Sequence, residues 1–333
     1  MINQRLYEIL LKEYKIKIDD RELEIKDCSK GCDNNVYVVK LPHLVERIVV
    51  RIPKLINDDD CPVMHRPSMQ ASVMKKLSDN LLPVPSLIAL DSESEDTYLI
   101  ESYTPRYDLS QLFPIPYQMS TKHRESIYQQ LGAILKKIHS IPTGGGFGSL
   151  IDLSLHGELN NWLDYFKDIP NQIADSNFDL TIHKQFSTVD QLKEHLLEWY
   201  NESTEYLKNY KQSQLVHADL CSNNIRVDIT PNINIDQIDD NTNISIIGII
   251  DFADAISGDG LYDLGRILSH VHGDWSFIES IEKTYTNNST FTASEKNMIK
   301  FYAFSFCIWL LSISDTDYDL LKYNKILNNL LIK

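Results

Sequence analysis

The stretch that decides the fold is His217-Ala218-Asp219-Leu220-Cys221-Ser222-Asn223-Asn224. After an insert comes an apolar run, Ile244-Ser245-Ile246-Ile247-Gly248-Ile249-Ile250, which ends in Asp251-Phe252. Read as H-x-D-x-x-x-x-N followed by D-F, the two pieces set one carboxylate, one amide and a second carboxylate at the ends of strand-like segments. Either piece alone is a weak signal. In this order, with β-branched residues flanking both, they define one constellation.

Phosphoryl transfer needs this constellation, because it asks a protein mainly for alignment and charge neutralisation. Asp219 is placed to orient an acceptor hydroxyl and take its proton. Asn224 and Asp251 offer oxygens to Mg²⁺, which prefers hard oxygen ligands shared with nucleotide phosphates. His217 reads as a brace for the loop, and Phe252 as packing behind the metal ligand. Position 218 is Ala, where regulated protein kinases carry Arg, so no cation there awaits an activation-loop phosphate. Helical pattern resumes at Leu261 and no A-P-E occurs, which leaves no long segment on which to lay a peptide. Both features point to a small-molecule acceptor.

Working outward, Leu23–Asp27, Asn35–Leu41, Arg47–Ile52, Ser86–Asp91 and Thr97–Tyr103 read as strands, with a helix over Pro67–Ser78 between the third and fourth. An amphipathic helix over Leu6–Ile18 precedes them. Thr104-Pro105-Arg106 breaks the pattern. This predicts an α+β, two-lobed, protein-kinase-like fold: residues 1–104 an N-lobe with an antiparallel five-stranded sheet and a helix, and residues 105–333 a mostly helical C-lobe. Helices are expected over Glu125–Ile141, Asn160–Asp168, Thr188–Tyr210, Leu261–His272 and Ser294–Ser314. Asp228–Asn243 reads as a mobile hairpin extension.

The nucleotide is expected on the N-lobe. Ser29-Lys30-Gly31-Cys32-Asp33-Asn34-Asn35 lies where a phosphate-covering loop belongs, with Ser29 and Asn34 as phosphate contacts. Arg51 sits mid-strand where a phosphate-binding Lys is expected, with Lys54 as the alternate. Register over Pro67–Ser78 puts Gln70, not Glu, opposite that cation, which leaves it without a neutralising partner. The backbone of Glu101 and Tyr103 is expected to meet the base.

These segments resemble the aminoglycoside phosphotransferase family, and its hygromycin-type members most. The resemblance rests on Leu215-Val216-His217-Ala218-Asp219, Ser222-Asn223-Asn224, Ile250-Asp251-Phe252-Ala253-Asp254-Ala255, Gly258-Asp259 and Tyr262-Asp263. It implies ATP or GTP, Mg²⁺, a base at Asp219, metal ligands at Asn224 and Asp251, and a structural Asp263 bracing the loop. The acceptor stays open between an aminoglycoside or aminocyclitol and another metabolite such as choline, homoserine or a sugar amine. A nucleotide-binding pseudokinase scaffold is the reading from another class. Asp254, Asp274 and Trp275 are candidates for holding acceptor ammonium groups.

The 333-residue chain carries 47 acidic against 32 basic residues, a net charge of −15. That balance disfavours nucleic acid and anionic membranes and suits a cationic ligand. Five cysteines with no C-x-x-C argue against a disulfide framework or zinc site and for a reducing, cytoplasmic setting. Nothing in the sequence separates monomer from dimer.

Overall fold

The computed structural model describes residues 4–15, 23–29, 34–42, 46–54, 67–92, 97–115, 118–231 and 233–332. Helix α1 (Gln4–Tyr14) precedes strands β1 (Glu24–Asp27), β2 (Asn34–Lys40) and β3 (Arg47–Pro53). Helix α2 (Pro67–Asp79) and strands β4 (Leu87–Asp91) and β5 (Tyr98–Ser102) follow. The five strands form one antiparallel sheet in the order β1-β2-β3-β5-β4. Alternation puts Tyr37, Val39, Ile48, Val50 and Ile52 on the face that packs against Leu6, Ile9 and Leu10 of α1. Ile16 to Ile18, expected in that first helix, lie outside the described residues, as do Lys30 to Asp33.

Helix α2 joins the two halves. Ala71 and Met74 meet Leu99 of β5. Met69, Val73 and Leu77 belong to the large core of the second half. On its exposed side, the Ser72 hydroxyl donates to the Leu153 carbonyl and Lys76 reaches the Ser154 carbonyl.

The second half runs β6 (Tyr107–Asp108), α3 (Leu109–Leu112), α4 (Thr121–His139), β7 (Phe147–Leu150), β8 (Gly157–Leu159), α5 (Ile169–Asp175) and α6 (Val189–Asn209). It continues through β9 (Gln214–Val216), β10 (Ile225–Thr230), β11 (Asn243–Ile249), β12 (Ile256–Gly258), α7 (Leu261–His270), α8 (Trp275–Tyr285), α9 (Ala293–Ile313) and α10 (Asp317–Leu331). The helix expected over Glu125–Ile141 starts a turn early, because Ser120 caps α4 by accepting from the His123 amide. The helix expected over Asn160–Asp168 is instead a 3-10 turn, Trp162–Phe166, followed by α5. Pro170 opens that second helix and cannot continue a first one. Helix α9 is buried over most of its circumference, as its apolar run requires. No described helix is long and apolar enough to cross a membrane.

The extended hairpin expected over Asp228–Asn243 is present. Strands β10 and β11 pair from Ile225↔Ile249 to Thr230↔Asn243. Their connection is anchored, because Ile233, Ile235 and Ile238 pack on the core and a His123 ring nitrogen bonds the Thr242 carbonyl.

Helix α7 seats directly on α9 through Gly265. A Cβ at Gly265 would lie 2.4 Å from the Tyr302 Cβ and 2.9 Å from the Ala303 nitrogen. Gly265→Ala is therefore expected to lower unfolding stability by about 1–3 kcal/mol despite its better helix propensity, read from urea melts.

Candidate active site

Strand pairing assembles the site. β9 and β12 pair at Val216↔Ile256, and β10 and β11 pair at Ile225↔Ile249. The loop His217–Asn224 and the loop Ile250–Ala255 therefore leave adjacent strands side by side. The Ile250 amide donates to the Asn224 carbonyl, and the His217 Nε2 bonds the Ile250 carbonyl at 3.0 Å. The His217 ring also packs on Phe252 with centroids 4.5 Å apart. His217 is thus a brace between the two loops.

Asp263, on the first turn of α7, holds the first loop. Its Oδ2 accepts from the His217 amide at 2.9 Å and its Oδ1 from the Ala218 amide at 2.8 Å. His139 Nε2, from the end of α4, completes the set at 3.0 Å. Burial by itself would raise the Asp263 pKa. The His139 hydrogen bond and charge outweigh it, and the carboxyl is held below the usual carboxylate range. The anchoring meets a conformational need, since Ala218 (φ 64°) and Asp251 (φ 69°) both sit in the left-handed region.

Asp219 is pinned through both oxygens. Arg266 Nη2 donates to Oδ1 at 2.6 Å, and Asn224 Nδ2 donates to Oδ2 at 3.2 Å and to the Asp219 carbonyl at 2.8 Å. The Asn224 amide nitrogen is thus committed to Asp219, and no hydrogen bond to its amide oxygen occurs among the described residues.

The N-lobe cation departs from expectation in one respect. Arg51 is buried in β3, but its partner is not on α2. Nε donates to Glu101 Oε1 of β5 at 3.0 Å, and Nη1 to Asp251 Oδ1 at 3.1 Å. Gln70 is buried with no partner for its Nε2 among the described residues. Leu99 pairs with Arg51 and Glu101 lies two residues on, on the same sheet face, which brings the carboxylate to the guanidinium. Burial raises the Glu101 pKa, opposed by the Arg51 charge. The expected deficit of charge at Gln70 is thus made good by Glu101.

Two cavities flank this centre. A cleft of about 920 Å³ between the lobes is lined by Val36, Val49, Arg51, Glu101, Tyr103 and Asn223, among others. The Tyr103 amide donates to the Arg47 carbonyl at 3.2 Å, so it is spent on the sheet rather than on a base. Ser29 and Asn34 are not among the lining residues. The Ser29 hydroxyl bonds the Val36 amide and carbonyl, and Asn34 is buried at the start of β2. Asp219 itself lines a second cavity, of about 440 Å³. Asp168, Asp254 and Arg266 line it, with Tyr165, Phe306 and Trp309 among the aromatic walls.

Asp274 and Trp275 are not brought to either cavity. Asp274 caps α8, accepting from the Ser276 amide and hydroxyl, and Trp275 opens that helix against the core. Asp168, Arg266 and the Glu101 carboxylate were missed. Glu101 had a signal, a lone charge in the otherwise apolar β5, and Arg266 stands one turn from Asp263 in the mostly buried α7. Asp168 had none.

A sheet-borne cation, a helical half and this paired loop arrangement define a kinase-like fold built for phosphoryl transfer to a small molecule. The chain belongs to the phosphotransferase enzyme family, whose model matches residues 24–289. Among solved structures it is similar to a thermostable mutant of aminoglycoside phosphotransferase APH(4)-Ia in ternary complex with ADP and hygromycin B. That match has a TM-score of 0.60 at 15% identity and covers 97% of each chain. The GDP and kanamycin complex of APH(2")-IIIa gives a TM-score of 0.65 at 13% identity, over 98% of each chain. A choline/ethanolamine kinase family protein from Mesorhizobium loti gives 0.58 at 14% identity, over 99% of this chain and 95% of that one. No curated protein sequence matches the chain.

Removing the Asp263 carboxylate would leave two amides and a histidine without their buried acceptor. Asp263→Ala is expected to cost about 3–5 kcal/mol of unfolding free energy by chemical denaturation.

Proposed function

We propose that the chain transfers the γ-phosphoryl group of ATP or GTP to a hydroxyl of a small cationic molecule of the aminoglycoside or aminocyclitol kind. The observation that carries this is that the two paired loops meet two cavities. Asn223 and Ile250 line the interlobe cleft together with the buried cation Arg51, and Asp219 lines a smaller cavity with further carboxylates and aromatic walls. The complexes of structural neighbours with ADP and hygromycin B, and with GDP and kanamycin, support the reading.

In the mechanism, Asp219 accepts a hydrogen bond from the acceptor hydroxyl and orients its oxygen toward the γ-phosphorus. The new P–O bond forms as the bond to the β–γ bridging oxygen breaks, and the hydroxyl proton passes to the Asp219 carboxylate. Arg51, held by Glu101, faces the cleft as the cation for phosphate oxygens. The amide oxygen of Asn224 and the carboxylate of Asp251 suit Mg²⁺, which is often held by one or two protein ligands plus phosphates. Such an ion, when bound, neutralises charge on the phosphate oxygens. Ammonium groups of the acceptor are matched by Asp254 and Asp168. Asp168 precedes α5 without capping it and is exposed at the cavity.

The aromatic walls also suit a single ammonium held by cation–π contact, so a choline-type acceptor is the second reading. The deciding experiment is a panel of hygromycin B, kanamycin, choline, ethanolamine and homoserine with ATP or GTP. Product is followed by nucleoside diphosphate release and ³¹P NMR. Phosphorylation of an aminoglycoside is the expected result. Turnover of choline or homoserine alone moves the assignment to the second class, and nucleotide binding without transfer to any acceptor would overturn the enzyme reading.

Asp219→Asn is expected to lower kcat by about 10³-fold or more with nucleotide affinity within a few fold of wild type, measured by calorimetry and steady-state kinetics. Glu101→Gln is expected to raise KM for the nucleotide by about tenfold, because Arg51 loses its buried counter-charge, while KM for the acceptor stays unchanged.

A further inference from the structure

Arg266 is used by neither the family motif nor the mechanism above, yet it touches the catalytic carboxylate. Its side chain is 8% exposed and its guanidinium carbon lies 3.4 Å from the centre of the Phe306 ring. One Nη donates to Asp219 Oδ1, and its Nε has no partner among the described residues. A buried guanidinium stacked on a ring has little freedom to swing away. It stands one helical turn beyond Asp263 on α7. One face of one helix thus grips the loop twice, through the backbone of residues 217 and 218 and through the Asp219 side chain.

A lone carboxylate rotates about its terminal torsion with little cost. With Arg266 on Oδ1 and Asn224 on Oδ2, the plane of this one is set from both sides. We propose that Arg266 is a positioning residue, which fixes the plane of Asp219 and so the direction from which the acceptor hydroxyl meets it. The proposal rests on the phosphotransferase reading above and specifies how that site is held. The same contact places a cation on the wall of the acceptor cavity beside Asp219. The ammonium groups of a cationic acceptor are thereby kept toward Asp254 and Asp168.

The test uses purified full-length Arg266→Ala and Arg266→Lys, checked by urea melts. Wild type and variants are compared with ATP and whichever panel acceptor wild type phosphorylates, or with ATP hydrolysis by water if it phosphorylates none. Arg266→Ala is expected to lose about 100-fold in kcat with KM for ATP within about twofold, the size of effect that misalignment produces. Added guanidinium at concentrations well below unfolding is expected to restore about tenfold of that loss, by occupying the vacated site. Lys supplies charge without the planar fork, so Arg266→Lys is expected to fold and still lose about tenfold in kcat. A folded Arg266→Ala with kcat within threefold of wild type overturns the proposal. So does a loss that guanidinium leaves untouched while KM for ATP rises in parallel, since that marks collapse of the loop. If only the Lys variant folds, wild-type kcat in it overturns the proposal and a selective kcat loss supports it. A wild type inactive in every assay instead removes the phosphotransferase reading beneath it.

Discussion

The site depends on one buried carboxylate. Asp263 has no exposed surface, and it accepts hydrogen bonds from the His217 and Ala218 amides and from His139. Those amides belong to a turn with a left-handed alanine, a conformation that a flexible loop would leave. Charge-assisted bonds to both amides hold the turn, and the turn presents Asp219. Because Asp263 sits on α7 and α7 is pressed onto α9 at Gly265, loop geometry is referred to the deepest core of the protein. The arrangement is rigid because its anchor is buried and its neighbours are close-packed.

The second tie runs between the lobes. Arg51 links Glu101 on the adjacent strand to Asp251 on the far side of the cleft. With the counter-charge on β5, the ion pair forms as the sheet forms. It does not wait for a helix to swing inward. Helix α2 is itself held on two faces, by Leu99 of the sheet and by the large core. A buried cation with its partner on the neighbouring strand is a fixed fitting rather than a switch. This agrees with a chain that has Ala at 218 and only a short segment after Asp251.

The smaller cavity is built differently. It draws on the 3-10 turn at Trp162–Phe166, the His217–Asn224 loop, α5, α7 and α9, so no single segment describes it. Three carboxylates and one guanidinium line it, and the guanidinium is committed to Asp219. The remaining acidic groups, Asp168 and Asp254, give the cavity its net negative character.

The motif residues of the two loops and the two-lobed fold are legible in the chain itself. Their spacing is a local property, with a loop of fixed length between strands and a carboxylate at a strand's end. Periodicity likewise finds α1, α2, α4, α6, α7 and α9 and all five N-lobe strands, but not α8 or α10. The short strands β6, β7, β8 and β12 are not legible, since two to four residues carry no period. Nor are the partners of the charges. Glu101 and Arg51 are 50 positions apart, and Arg266 and Asp219 are 47 apart. Asp274 shows the converse, because a carboxylate near the right helix in sequence is spent on capping the next one. The sequence by itself determined which chemistry the chain carries. Which charge neutralises which, and which carboxylates share a cavity with Asp219, was decided only when packing brought distant elements together, because pairing of buried charges is a matter of spatial distance and desolvation rather than of order along the chain.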